Sequence, residues 1–307
     1  MQIHKGLEHF ERLPKAIVTT GTFDGVHLGH QKLLKILSNR ASLINSETVV
    51  VTFFPHPRNV LFPDHELKLI NTIDENISLF KRYNVDHLVL QNFDINFSRI
   101  TSLEYIRDFL CKKIGLKELV VGYNHQFGRN REGSKENLEE YSDLYDFTIH
   151  EVQPYYFKET AISSTKIRNG ILNGDFELVN QYLGYDFKLS GTVIRGKGLG
   201  KSTGFPTANI LVENKNKIIP RNGVYAVNIN YNNTLYKGML NIGVQPTFNQ
   251  KKLSIEVHIF DFSKDIYDQF LTIEFIKRIR NEKKFDSIDL LKDQLFMDKI
   301  AALNILD

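Results

Sequence analysis

The sequence predicts two domains: a Rossmann-like, doubly wound α/β domain, then a small β-barrel with a C-terminal helix. Three observations support this. The chain has 307 residues, for which two domains are the default expectation. Strand and helix signals alternate through the first half, and strand signals with little helix between them follow. We expect the boundary near Gly184–Lys188, giving domains 1–184 and 185–307.

Short β-branched and aromatic runs predict strands that are buried on both faces in the first domain. These runs are Ala16–Thr20, Thr48–Phe54, Asp86–Gln91, Glu118–Gly122 and Phe147–Val152. Between them, His30–Ile44 has its apolar residues on one side of a helix. Thr72–Glu75 and Thr101–Glu104 have the capping-box spacing, and Gly115 is placed to end the second of these helices. The repetition predicts a parallel sheet that binds ligands at the carboxyl ends of its strands.

From about Asp186 the pattern becomes that of a barrel or closed sheet. The predicted strands are Lys188–Arg195, Gly223–Tyr231, Thr234–Leu240, Leu253–Phe260 and Phe270–Arg278. Asn232 and Asn233 predict a tight hairpin turn, because Asn tolerates positive φ. One amphipathic helix closes the chain. Its expected buried side carries Leu291, Leu295, Ile300 and Leu303.

Composition excludes several classes of protein. Hydrophobic residues make up 42% and charged residues 24%, which argues against disorder, collagen and a coiled-coil rod. A net charge of +3 is too mild for a nucleic-acid binder. A single cysteine, Cys111, and the lack of a signal peptide or a long apolar run lead us to expect a cytoplasmic protein. We expect small-molecule substrates, a monomer or weak homo-oligomer, and neither nucleic acid nor membrane as partner.

The first candidate site is the glycine-rich segment Gly21–Gln31, between the first strand and the first helix. A parallel sheet presents backbone N–H groups to phosphate at this position. His27 and His30 share a face of the first helical turn, where two imidazoles would stabilise charge on a nucleotide phosphate under attack. The alternatives are a glycine turn with two surface histidines, and a zinc site for which the sequence indicates no third ligand.

The segment resembles the His-x-Gly-His signature of the nucleotidylyltransferase superfamily, whose members attack the α-phosphate of ATP and release pyrophosphate. Thr52–Pro57, Val121–Gly128 and Ile162–Arg168 resemble, in order, blocks of the bacterial FAD synthetase module. The resemblance implies that His27, His30 and Arg168 are catalytic. It also implies ligand contacts for Gly21, Phe23, Asp24, Gly29, Phe53, Pro55, Asn124, Phe127, Ser163, Ser164 and Thr165.

Within that set the resemblance implies distinct roles. Phe53, Pro55 and Phe127 would pack against the isoalloxazine, and Asn124 would hold the phosphate or ribityl end of FMN. The residues of 163–168 would complete the triphosphate site, since hydroxyls and an Arg at a helix start suit a polyphosphate. A helix N-cap with a solvent-exposed Arg is the alternative. The chain has Tyr-Asn-His at 123–125, where the family commonly reads Gly-x-Asp-Phe, so an amide replaces an acid.

The second candidate site begins in a cationic, glycine-rich loop at 191–204, which predicts a cover for a polyphosphate. The loop runs into Gly204–Asn209, where Thr207 and Asn209 face the same way in an extended stretch. Their hydroxyl and amide oxygens suit Mg²⁺ held by a nucleotide. On a later strand, Glu256 lies opposite the apolar face and could act as a general base. The alternatives are a surface loop of a barrel and a solvated strand residue.

Gly204–Asn209 resembles the Pro-Thr-Ala-Asn motif of riboflavin kinases. Further matching segments follow in the family order: Asn222–Ala226, Asn241–Gly243, Pro246-Thr247, Ile255–His258 and Arg280–Phe285. The resemblance implies that Glu256 is the catalytic base and that Thr207 and Asn209 are the metal ligands. Nucleotide or flavin contacts are implied for Gly198, Gly204, Pro206, Thr207, Asn209 and Arg280. Gln245 stands where the family often has Arg.

Together the two resemblances span residues from about 15 to 300, in the order of the bifunctional riboflavin kinase/FMN adenylyltransferases of bacteria. They imply that the second domain phosphorylates riboflavin to FMN, and that the first adenylylates FMN to FAD, with ATP and Mg²⁺. Two alternatives stay open. The first domain could transfer a nucleotidyl group to another phosphate, with the barrel only binding it. The chain could also bind flavin without turnover.

Overall fold

The structure is a computed structural model that describes residues 1–8, 10–123, 125–129, 132–196, 200, 203–247 and 250–307. Side chains at 245–247 and 250–252 are outside this description. The chain divides into two compact units, Met1–Ser163 and Ser164–Asp307. The domain boundary expected at 184/185 stays a prediction. Among the helices of the described residues, none is long and apolar enough to cross a membrane.

A six-stranded sheet forms the centre of the first unit. Its strands are β1 (Gln2–Lys5), β2 (Ala16–Gly21), β3 (Glu47–Phe54), β4 (His87–Asn92), β5 (Leu116–Gly122) and β6 (Thr148–Val152). They lie in the order β1-β4-β3-β2-β5-β6, and every pairing is parallel. A small hairpin, β7 (Tyr156–Phe157) with β8 (Thr160–Ala161), follows. The predicted parallel α/β fold is confirmed.

Helices connect these strands. They are α1 (Leu28–Ile44), α2 (Pro57–Leu61), α3 (Ile73–Arg82), α4 (Ser102–Glu104), a π-helix (Tyr105–Ile114) and α5 (Lys135–Tyr145). Both predicted capping boxes are present, and Gly115 ends the π-helix in the left-handed conformation. The expected α-helix is thus capped as predicted but is π-helical from Tyr105 onward. Capping signals mark the ends of a helix and carry no information on the width of its turns.

The second unit starts with two helices and continues into a closed barrel. Its elements are α6 (Ser164–Asn173), α7 (Phe176–Leu183), β9 (Phe187–Ile194), β10 (Ala208–Leu211), β11 (Gly223–Tyr231), β12 (Thr234–Thr247), β13 (Gln250–Ile259), β14 (Phe270–Arg280) and α8 (Ile288–Leu306). The barrel order is β10-β13-β12-β11-β14-β9, which confirms the predicted barrel with a C-terminal helix. Asn232 and Asn233 both have positive φ, as expected for the hairpin turn.

One strand of the barrel is not among the strands predicted from the sequence. β10 has only four residues and pairs with both β9 and β13. A strand this short, next to Pro206, gives almost no periodic signal. It nevertheless closes the barrel, so the missed strand is essential to the fold.

The buried side of α8 differs from the expected one. Leu295 and Leu303 pack partly against the core, as expected, but Ile300 is 40% exposed, so the expectation for Ile300 is wrong. Asp298 takes an inward position and is 1% exposed. An apolar pattern cannot identify such a site, because the burial of Asp298 depends on a partner cation from β14, described below.

Gly115 offers a test of the packing between the loop before β2 and the end of the π-helix. A Cβ at Gly115, where φ is +90°, would lie 2.0 Å from the carbonyl oxygen of Leu13. Gly6 has nearly the same φ of +86°, but its Cβ would meet only the flexible side chain of Glu8. Both Gly→Ala changes carry a positive-φ cost of about 1–2 kcal/mol. We expect Gly115→Ala to lose about 1–3 kcal/mol more than Gly6→Ala, because backbone must move.

Denaturant unfolding of the two variants measures this difference. Equal losses of unfolding free energy in the two variants would contradict the close approach of Leu13 to Gly115.

Candidate active sites

The first candidate site lies at the N-terminus of α1, directly after β2. His27 is the N-cap residue of α1, and no acidic side chain lies in the first turn. The first N–H groups of a helix lack acceptors within the helix, and the helix dipole adds to their attraction for anions. This helix end is therefore suited to a phosphate group, as expected from the sequence.

The two histidines of this site form a stacked pair. Their ring centroids are 3.7 Å apart, with 16° between the planes. Nδ1 of His27 accepts from the backbone N–H of His30 at 3.4 Å, so a neutral His27 carries its proton on Nε2. Burial, then the nearby His27, holds the pKa of His30 well below its ordinary value. At neutral pH, His30 is therefore a neutral hydrogen-bonding group.

Neighbouring residues fix the position of this histidine pair. A Cβ on Gly29 would come within 3.1 Å of Cε1 of His27, so the ring lies directly over this glycine. Phe23 is buried and meets the ring of His30 edge-on, with 5.3 Å between centroids. Gly21 packs against the ring of Phe23 in turn. The geometry gives these three residues a supporting position, and their expected ligand contacts stay predictions.

Asp24, in the same loop, forms buried hydrogen bonds to a neighbouring segment of the chain. Its side chain is 3% exposed, and Oδ1 accepts the backbone N–H groups of Ile70 at 2.9 Å and Asn71 at 3.3 Å. The carboxylate therefore fastens the segment before α3 to the loop after β2. A nucleotide contact for Asp24 stays a prediction.

The three expected flavin contacts differ in how much surface they offer. Phe53 is half-buried beside Phe93 and Phe97, and Pro55 is exposed. Phe127 is 7% exposed within the hydrophobic core, and a Cβ on Gly133 would lie 2.8 Å from its ring. Phe53 and Pro55 can therefore offer surface to a flat ligand, whereas Phe127 offers little. Asn124 lies outside the described residues.

The expected triphosphate contacts, residues 163–165 and Arg168, lie where the chain divides into its two units. Ser163 ends the first unit, and Ser164, Thr165 and Arg168 belong to α6 of the second. The expected helix start at this point is confirmed. A role for these side chains at the triphosphate stays a prediction.

The second candidate site is a cavity of about 350 Å³ within the barrel unit. Its lining includes Gly200, Thr207, Asn241, Glu256, Arg280 and Lys283, with apolar side chains from the barrel and α8. It thus combines a carboxylate, hydroxyl and amide groups, and cations on an apolar floor. That combination is typical of a site for a small molecule with a charged part.

Glu256 is held by hydroxyl groups at both of its carboxylate oxygens. Ser254 donates to Oε1 at 2.8 Å, and Thr207 donates to Oε2 at 3.3 Å. In the barrel register, Glu256 pairs with Asn209 of β10 on one side and with Asn241 of β12 on the other. The structure thus brings together Glu256, Thr207 and Asn209, the three residues singled out for this chemistry from the sequence.

The segment before β10 is tightly folded. The N–H of Phe205 donates to the carbonyl of Gly200 at 3.0 Å, and a Cβ on Gly200 would lie 2.4 Å from the Phe205 carbonyl oxygen. Gly204 has φ of +82° with open space around its Cβ position. Gly198 lies outside the described residues. Close packing at Gly200 helps to bring Thr207 to the cavity.

Arg280 is engaged by a buried carboxylate. Its Nε and Nη2 donate to the two oxygens of Asp298 at 2.8 and 2.7 Å. This bidentate pair fastens α8 to the end of β14 at the cavity wall. The expected phosphate or flavin contact of Arg280 stays a prediction, and the observed contact is an anchor.

Four further residues at this site were not singled out from the sequence: Ser254, His258, Asn241 and Asp298. Ser254 and His258 lie two residues to either side of Glu256 on one strand, so strand periodicity could have placed them on its face. Asn241 requires the barrel register, and Asp298 requires knowledge of its partner. Asp298 has no local sequence signal, and Asn241 lies in a segment that resembles the kinase family but was given no role there.

The side chains at the two candidate sites can be compared with the zinc and Mg²⁺ sites considered from the sequence. Among the residues that the structure describes, no group of three or more His, Cys, Asp or Glu side chains could hold a metal ion. The zinc alternative at the histidine pair therefore gains no third ligand there. The oxygens of Thr207, Asn209 and Glu256 are hard donors of the kind that bind Mg²⁺ together with nucleotide phosphates.

Comparisons with known proteins agree with the two-part layout. Residues 9–166 match the family model of FAD synthetase, and residues 183–306 match that of riboflavin kinase. Bifunctional riboflavin kinase/FMN adenylyltransferases of Buchnera aphidicola (subsp. Schizaphis graminum) and Bacillus subtilis are 34% and 35% identical to the chain. These alignments cover 97% and 95% of this chain, and 96% and 93% of those proteins.

A solved structure has the same fold. A crystal structure described as a macrolide-efflux protein from Streptococcus pneumoniae superposes with a TM-score of 0.90 at 32% identity. It covers 99% of this chain, and the chain covers 98% of it.

The fold and the matched models define a two-domain chain of the FAD synthetase and riboflavin kinase classes. The chain belongs to the family of bifunctional riboflavin kinase/FMN adenylyltransferases.

Asp298 offers a test of how far the kinase-like cavity depends on its anchor. Asp298→Asn leaves Arg280 without its charge partner, and breaking a buried pair costs about 3–5 kcal/mol. We expect a clear loss of unfolding free energy for the barrel unit and a loss of its activity. The exposed Asp293→Asn change on the same helix is the control and should be nearly neutral. Similar stabilities for both variants would contradict the anchoring role.

Proposed function

We propose that the barrel unit transfers the γ-phosphoryl group of ATP to the 5′-hydroxyl of riboflavin, giving FMN. The observation that carries this proposal is the position of Glu256 in the cavity, with both carboxylate oxygens engaged by hydroxyl groups. A carboxylate held in this way can accept the proton of a substrate hydroxyl as the new O–P bond forms. Pure binding of a flavin would not require such a base.

Thr207, which lines the cavity, and Asn209, which pairs with Glu256 across the strands, would hold Mg²⁺ with the phosphates of ATP. When bound, Mg²⁺ neutralises negative charge on the phosphates. Thr207 also donates to Glu256, so one hydroxyl connects the nucleotide side of the cavity to the base. Gly204 and Pro206 shape the segment that carries Thr207, and Gly198 would extend its phosphate-covering loop.

We propose that the first unit joins FMN to the adenylyl group of a second ATP, giving FAD and pyrophosphate. The FMN phosphate is already ionised and attacks the α-phosphorus without a protein base. The N-terminus of α1, together with His27 and His30, would stabilise charge on the α-phosphate as it is attacked. The stacked geometry of the histidine pair, with His30 neutral, supports hydrogen-bond donation and positioning as the contribution of these two side chains.

The proposal extends to the triphosphate contacts, the domain bounds, the compartment and the oligomeric state. Arg168, with the hydroxyls of 163–165, would bind the triphosphate. The domains would be 1–184 for adenylyl transfer and 185–307 for phosphorylation. The chain would act in the cytoplasm as a monomer or weak homo-oligomer, and size-exclusion chromatography with light scattering tests the oligomeric state.

The two alternatives predict different products. If the first unit transfers a nucleotidyl group to another phosphate, a panel of phosphomonoesters will show a better acceptor than FMN. If the chain only binds flavin, it will copurify with a yellow ligand and leave ATP intact.

Glu256→Gln tests the kinase assignment, because the amide keeps the size of the side chain and cannot accept the proton. We expect FMN formation from riboflavin to fall by about 10²–10⁴-fold. FAD formation from supplied FMN should be unchanged. Glu213→Gln, an exposed change in the same unit, is the matched control. Equal loss of both reactions in a folded Glu256→Gln protein would contradict the assignment.

His30→Ala tests the adenylylation assignment in the opposite direction. We expect FAD formation from FMN to fall by about 10²–10³-fold, because one stabilising donor at the phosphate is removed. FMN formation from riboflavin should be preserved and serves as the internal control. Unchanged FAD formation would remove His30 from the proposed site.

A further inference from the structure

His258 is the next side chain after Glu256 on the same face of β13. Its Nδ1 lies 2.7 Å from the carbonyl oxygen of Pro206. A carbonyl can only accept, so Nδ1 carries the proton and donates. This bond crosses from the strand that bears the base to the segment that leads into β10.

The ring of His258 is itself held in place. It meets Phe205 edge-on at 5.2 Å and Phe260 at 5.6 Å between centroids. Phe260 belongs to the buried cluster with Ala226 and Met239, and Phe205 packs against that cluster. The direction of the Nδ1–H donor is therefore set by packing of the ring.

The accepting carbonyl belongs to the residue just before Thr207. Pairing of β10 with β13 begins only at Ala208, so the bond to Pro206 fastens the chain two residues earlier. Thr207 follows at once and donates to Glu256. A change in the direction of the Pro206 carbonyl would therefore move the Thr207 hydroxyl relative to the base.

We infer that His258 is a positioning residue for phosphoryl transfer: through the Pro206 carbonyl it holds Thr207 for the Mg–ATP complex, and it takes no part in proton transfer. This inference rests on the proposed kinase function of the barrel unit. The bond needs only the Nδ1 proton, which neutral and charged imidazole both carry. Burial lowers the pKa of His258 and the bond to the Pro206 carbonyl raises it, while the charged groups Lys299 and Asp261 lower and raise it, respectively; the net shift is downward.

Two substitutions separate hydrogen bonding from packing. His258→Leu removes the donor and keeps apolar bulk. His258→Asn keeps a donor, because its amide nitrogen occupies nearly the position of Nδ1. We expect Leu to raise the KM for Mg–ATP in riboflavin phosphorylation by about three- to tenfold, the worth of one hydrogen bond, with kcat changed less. Asn should restore KM to near the wild-type value.

Three further readouts make the test specific. The pH profile of kcat/KM should be the same in all three proteins, and FAD formation from FMN should be unchanged, which confines the effect of the substitution to the barrel unit. The ATP concentration that half-protects residues 204–211 from hydrogen exchange should rise with Leu and return with Asn. This local measurement stands even if the chain does not phosphorylate riboflavin, so failure of the kinase proposal is distinguishable.

The inference is overturned if His258→Leu leaves both the KM for Mg–ATP and the protection of 204–211 unchanged. It is also overturned if kcat falls in both variants with a shifted pH profile, because that result assigns proton transfer to the imidazole.

Discussion

Closure of the barrel by β10 is the constraint on which the second site depends. This strand has four residues and pairs with β13 at two positions, Ala208 with Val257 and Asn209 with Glu256. The same pairing that removes the open edge of the sheet places Asn209 opposite Glu256, the residue proposed as the base. A slip of one residue would turn Asn209 and Thr207 to the other face of the strand. The hydrogen bonds between β10 and β13 therefore both close the barrel and position Asn209 beside Glu256.

In the first unit, the candidate site is positioned by the N-terminus of a helix, α1. A parallel sheet places the loop after β2 at its carboxyl edge, and α1 begins there with His27 as its N-cap residue. The histidine pair adds directional donors without adding two buried charges, since burial keeps His30 neutral at neutral pH. This arrangement is supported by contacts of Phe23 with the His30 ring and of Gly29 with the His27 ring, and by the bonds from Asp24 to the segment before α3. Much of the motif thus supports His27 and His30, the two side chains that are proposed to meet the phosphate.

The sequence predicted the fold well where periodicity was strong. The strands around Val49–Val51 and the capped helices lie within a few residues of their expected positions, because burial and caps are local properties. It failed at β10, which is short and adjoins a proline, and at the inward position of Asp298. Both depend on partners distant in sequence, β13 and Arg280, which no local pattern encodes.

The candidate sites show the same contrast between local sequence patterns and contacts that depend on the fold. Spacing and family resemblance singled out His27, His30, Thr207 and Glu256 as candidates, since each stands in a multi-residue motif. They did not identify Ser254 or Asn241, whose contacts with or pairing to Glu256 appear only when the barrel is closed. Asp24 and Arg280 show the converse, because motif residues expected to meet a ligand have buried structural partners here.

The most direct test of two separate sites is a time course of the unmodified chain with riboflavin, Mg²⁺ and ATP labelled at either the α- or the γ-phosphorus. Flavins are separated by chromatography and counted. The account predicts FMN first, carrying only the γ-label, and FAD later, carrying both labels. FMN without FAD, FAD without the α-label, or no new flavin with ATP intact would contradict it.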